Sequence, residues 1–135
     1  MKNIFFLTLL LATSAQAFEL LVTGLRNDEG DVRCSVYKTA DAFLKPKSAL
    51  VTLTVKPVEG KALCDFKELP EGDYALGVLH DEDQDTLMRT NFIGLPREGW
   101  AVSNDAPPRM FGAPTFESAL KSWKAGERAE VKIRY

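Results

Sequence analysis

The sequence predicts an all-β protein, an antiparallel two-sheet β-sandwich of about seven strands with one short helix in the C-terminal half. Three observations predict it. Apolar and polar residues alternate with period two in several short runs, the pattern of half-buried strands. Those runs are separated at fairly even spacing by turns rich in Gly, Pro, Asn and Asp, as in sandwiches. Only one stretch, beginning at Phe116, repeats its apolar residues at helical spacing.

The N-terminus stands apart from this pattern. Lys2 supplies a positive charge, Ile4 to Ala12 is apolar but for Thr8, and Ala15-Gln16-Ala17 is a small-x-small cleavage site. Residues 1–17 therefore read as a secretory signal peptide, too short for a spanning helix; an N-terminal membrane anchor is the alternative. Export places the protein in the periplasm or outside the cell. Removing 17 of the 135 residues leaves 118, residues 18–135, enough for a single domain with its own core. The loss of Lys2 leaves 16 basic against 19 acidic residues, a net charge near −3. There is no basic run, so no nucleic-acid partner is expected. No later apolar run is long enough for membrane insertion once the signal is cleaved.

In the mature chain, Phe18 to Leu25 is a first strand, and Arg26-Asn27-Asp28-Glu29-Gly30 has turn chemistry. Asp31 to Tyr37 alternates, with Val32, Cys34 and Val36 on one face. These two runs are expected to pair as antiparallel neighbours. Thr39 can cap a helical turn to Phe43 that Pro46 stops. Leu50 to Val58 points Val51, Leu53 and Val55 inward, and its β-branched residues suit a pleated surface. After Glu59-Gly60, Ala62, Cys64 and Phe66 share a face. Leu69 to Asp73 is a Pro/Gly turn. Tyr74 to His80 is apolar on both faces and reads as a central strand. Cys34 and Cys64 both fall on the apolar phase; in an exported chain such a pair reads as a disulfide, with two buried free thiols as the alternative.

Residues 81–114 are long for a connection, and such segments are often functional. They are too apolar for disorder, and a short strand is expected near Trp100–Ser103. Thr115 can cap a helix from Phe116 to about Lys124, since Phe116, Ala119, Leu120 and Trp123 lie at helical spacing. Glu127 to Tyr135 alternates as a closing strand.

Gly72-Asp73-Tyr74-Ala75, His80-Asp81-Glu82-Asp83, Asn91 to Gly99 (NFIGLPREG), Ser103-Asn104 and Pro114 to Ala119 (PTFESA) occur in this order. In combination they resemble the domain-of-unknown-function family 2141 over nearly all of the mature chain. The resemblance implies an exported bacterial β-sandwich, similar to transthyretin-like and carboxypeptidase-regulatory-like modules, and carries no established activity. Thr86 and Arg89 depart from the family's usual loop.

Chemistry concentrates after the central strand. Asp81, Asp83 and Asp85 alternate like the first ligands of a calcium loop, and hard oxygen donors suit Ca²⁺. The Gly and Glu that complete such a loop are replaced by Thr86 and Phe92, and Arg89 would bring a positive charge to an ion or pair with a carboxylate. A solvated acidic turn is the alternative. His80 is the only histidine. A nucleophilic Ser103 with His80 as base has no supporting motif, and His80 is expected to hydrogen-bond loop backbone instead. Trp100, Phe92, Phe111, Trp123 and Tyr74 could form a ligand platform or cover one end of the core. The expected function is a non-catalytic exported module. It binds a protein or carbohydrate-like ligand through the 81–114 surface, with His80, Asp81, Asp83, Asp85, Asn91, Trp100, Ser103 and Asn104 as ligand-binding candidates and no resident cofactor. The alternative is a calcium-dependent binder or a hydrolase built on the loop from His80 to Asp85.

Overall fold

The alternation becomes eight strands: Phe18–Thr23 (β1), Asp31–Tyr37 (β2), Val51–Val55 (β3), Ala62–Phe66 (β4), Gly72–Asp81 (β5), Gly99–Val102 (β6), Lys121–Trp123 (β7) and Arg128–Lys132 (β8). They belong to a computed structural model that describes residues 18–86 and 98–135. The expected signal peptide and the loop residues Arg89, Asn91 and Phe92 lie outside the described residues.

The strands form two sheets, one ordered β4-β1-β8 and the other β3-β2-β5-β6 with β7 also on β5. The inward faces are those the alternation marks. Phe18, Leu20 and Val22, then Val32, Cys34 and Val36, then Ala62, Cys64 and Phe66 are all buried in one core with Tyr74, Leu76, Val78, Trp123 and Val131. Cys34 on β2 and Cys64 on β4 form a disulfide, which joins the two sheets through the core. Among the described residues no helix is long and apolar enough to cross a membrane.

Strand β5 is central, as its two apolar faces predict. One edge pairs with β2 along residues 75–81. The other is shared: β7 covers residues 72–74 and β6 covers 77–80. The interval between those partners is closed by Ser103, whose Oγ accepts the Leu76 N–H at 2.9 Å and donates to the Ala119 carbonyl.

Three expectations are corrected. Strands β1 and β2 are not a hairpin but lie in different sheets. The intervening turn is tied elsewhere, for the Asp28 carboxylate accepts the Glu59 and Gly60 N–H groups at 2.9 and 2.8 Å. Alternation settles which face is buried and leaves the partner open. The sandwich is also not wholly antiparallel, since β8 runs parallel to β1. The helix spans only Phe116–Ala119 (α1), with Thr115 Oγ1 accepting the Ser118 N–H as expected. Trp123 reaches the core from a strand instead, its Nε1 donating to the Tyr74 carbonyl at 3.1 Å. The described aromatic residues divide between the core and the surface. Tyr74 and Trp123 stack with Phe18 inside the sandwich. Trp100, like Phe43 and Phe116, packs against a separate small cluster of Ala75, Val102, Ala106 and Ala119, and Phe111 projects from a turn at 92% exposure.

Candidate functional site

Pairing of β6 with β5 divides the 81–114 segment into two surfaces. His80 lies opposite Gly99 and Gly77 opposite Val102. The turn after Asp81 and the approach to Gly99 therefore share one end of the sandwich. Ser103 and Asn104 lie partway back along β5, about 13 Å from His80 at strand spacing. Ser103 is fully buried, and Asn104 donates from Nδ2 to the Ser118 and Leu120 carbonyls at 3.1 and 3.0 Å. Both hold the α1 segment against the sheet. Trp100 pairs with Leu79 and bridges to Arg134, with reciprocal N–H···O bonds of 2.9 Å.

His80 is buried and fully engaged. Its Nε2 lies 2.8 Å from the Glu29 carbonyl and its Nδ1 lies 2.6 Å from the Tyr135 hydroxyl. A carbonyl only accepts, so Nε2 carries a proton and donates it to Glu29. The Tyr135 hydroxyl accepts the Arg26 N–H at 3.1 Å. The imidazole thus ties β5 to the turn before β2 and to the C-terminus, as the backbone-anchoring reading expects. Neither ring nitrogen faces Ser103, so the nucleophile–base pair has no geometry here.

Beyond His80 the chain enters the acidic turn. Gly30 (φ +66°) backs it so closely that a Cβ there would sit 2.1 Å from the Asp81 carbonyl oxygen. The Asp81 carboxylate is 1% exposed and folds the turn around itself. Its Oδ1 accepts the Asp85 N–H at 3.1 Å and its Oδ2 the Thr86 N–H at 2.8 Å. Gln84 and Thr86 adopt left-handed backbone (φ 57° and 67°) to reach those bonds. Burial raises the Asp81 pKa; the two N–H groups oppose that rise, while Asp83 and Asp85 add to it. Glu82 turns away to Arg26 and to Asn27 Nδ2 (3.0 Å). Burial opposes its charge, but those partners outweigh it and hold its carboxyl low.

Sequence reasoning missed Glu98. It leads into β6 and is 6% exposed. One oxygen from each of Asp81, Asp83, Asp85 and Glu98 lies within 4.8 Å of the others. Among the described residues Glu98 Oε2 has no hydrogen-bond partner. Burial first, and then the charge and hydrogen bond of Asp83, push the Glu98 pKa up to about 7. The structure thus gathers the three aspartates of the turn and adds a fourth carboxylate from the next strand. No spacing rule reveals Glu98, because only the β5–β6 register brings it opposite the end of β5.

A family described as an uncharacterised protein conserved in bacteria (DUF2141) matches residues 20–130 of the chain. No curated protein matches, and no solved structure does.

Proposed function

We propose that this chain, which belongs to the bacterial DUF2141 family, is an exported, non-catalytic binding module of the periplasm or cell exterior. It engages a protein or carbohydrate-like ligand at the acidic end of the sandwich. The observation that carries this reading is the convergence of Asp81, Asp83, Asp85 and Glu98 at one strand end. Polar groups gathered on a stiff frame can orient a polar ligand. The Cys34–Cys64 bridge suits an oxidising compartment. His80 and Ser103 are occupied in holding backbone, which favours binding over hydrolysis.

Immobilised protein is exposed to envelope extract and to a glycan panel, beside an Asp83→Asn, Asp85→Asn double variant of unchanged circular dichroism. Specific retention that the double variant loses is the expected result, and the panel separates sugar from protein. Equal retention by both proteins removes this surface from consideration. Turnover of a hydrolase substrate that Asp81→Asn abolishes would establish the enzyme reading instead.

A further inference from the structure

We propose that Asp81, Asp83, Asp85 and Glu98 together bind a hard divalent cation of the Ca²⁺ class. Ca²⁺ bonds oxygen at about 2.3–2.6 Å, so oxygens on opposite sides of one ion lie up to about 5 Å apart. The four carboxylates already present oxygens within 4.8 Å of one another, which lets a single ion touch all of them. Every donor is a carboxylate oxygen, the set favoured by Ca²⁺ and Mg²⁺ over the metals that prefer nitrogen or sulfur. His80, the one nitrogen donor nearby, is committed to Glu29 and Tyr135. Mg²⁺ keeps much of its water and usually takes one or two carboxylates, so four favour Ca²⁺.

Three alternating aspartates on a turn would not carry this alone. The independent observation is Glu98, which arrives from another strand, is 94% buried by its 6% exposure, and leaves Oε2 without a hydrogen-bond partner among the described residues. Buried polar atoms are almost always satisfied, and an exception points to an ion or water. A cation at the cluster supplies the partner that Glu98 Oε2 lacks among the described residues. The turn is prepared for it, because Asp81 is already immobilised by the Asp85 and Thr86 N–H groups. The ligand pattern differs from a helix–loop–helix calcium loop. The distant carboxylate comes from the neighbouring strand, so the missing Gly and Glu of that loop are not required.

Cation binding shares its surface with the binding-module reading, yet it is read on the protein alone, so either can fail without the other. The oxidised protein is stripped with chelator and titrated calorimetrically with CaCl₂ and, separately, MgCl₂. About one Ca²⁺ per chain is expected, with a Kd at or below the roughly 10⁻⁴–10⁻³ M of extracellular modules and weaker Mg²⁺ binding. Glu98→Gln and Asp83→Asn should each weaken Ca²⁺ at least tenfold, and Asp65→Asn, on β4, should change nothing. Asp83 is exposed, so its variant keeps the comparison open if the Glu98 variant does not fold. No saturable uptake by the wild type up to about 10 mM, well past that range, overturns the site. Undiminished uptake by both variants overturns it equally.

Discussion

Replacing Glu98 with Gln should stabilise the cation-free protein above neutral pH and flatten its pH dependence. The folded protein raises the Glu98 pKa from 4.5 to about 7. Between those values the native state keeps a proton that the unfolded chain releases. Stability contributed by that proton is complete below about pH 4.5 and is lost as pH rises through about 7. At 1.36 kcal/mol per unit the loss is about 3 kcal/mol, roughly 10 °C in Tm for a domain of this size. Gln is nearly isosteric, cannot ionise, and offers Asp83 the donor that a protonated Glu98 would offer. Asp81, also raised, keeps a slope of the same sign in both proteins. Asp31, held low first by its Lys56 hydrogen bond, gives the opposite sign, below the ordinary carboxylate range and again in both. The difference between the two proteins therefore reports Glu98 together with its coupling to Asp81, Asp83 and Asp85. Urea unfolding in chelator at pH 4.5, 6, 7 and 8 measures it. The wild type should lose about 3 kcal/mol relative to Glu98→Gln across the series, and saturating Ca²⁺ at pH 8 should restore the wild type alone. Parallel pH curves for the two proteins would refute the reasoning.

Two further outcomes test the frame that holds the site. Cys34 and Cys64 close a loop of sequence separation 30, so replacing both with Ala should lower the free energy of unfolding by about 3–4 kcal/mol on the chain-entropy model. Denaturant melts of the oxidised wild type and the double variant measure this, and a loss below about 1 kcal/mol would show that the model fails here. Ser103→Ala strands the Leu76 N–H and the Ala119 carbonyl in the protein interior. It should destabilise by about 1–3 kcal/mol and speed amide exchange at Leu76; unchanged exchange there would count against the Ser103 bridge.

The sequence showed the strands well because burial on one face is a local property. Val32, Cys34 and Val36 could be assigned inward without knowing what they face. Partner choice is not local, and here the reading failed: β1 and β2, adjacent in sequence and joined by a turn-like stretch, separate into two sheets. The same limit shaped the site. Asp81, Asp83 and Asp85 are neighbours along the chain and were legible. Glu98 lies beyond a long connection and was not. Ser103 and Asn104 were ligand candidates, with Asn104 read as a turn residue first, and their backbone bonds could not be foreseen from the chain. In the fold they satisfy backbone groups where β5 changes partner from β6 to β7.

Why the carboxylates stay together despite their charge follows from what surrounds them. In β5 and β6 the last pair is His80 with Gly99, so one further step brings Asp81 and Glu98 to facing positions, where like charges repel. The strand end cannot splay to relieve this. His80 is tied to Glu29 and Tyr135, and the Gly30 backbone lies against Asp81 and Glu82. On the other side, Gly99 lies so close to the C-terminal segment that a Cβ would sit 2.5 Å from both Ile133 and Tyr135. Tyr135 thus packs on Gly99 while holding His80, and the two strands bearing the buried carboxylates are fastened through one residue. A cluster on a mobile loop would disperse its charge by moving. Here a proton on Glu98 and a bound cation would each relieve the repulsion in place, and the two differ in sign with pH: the proton is lost as pH rises, while ionised carboxylates bind a cation more tightly.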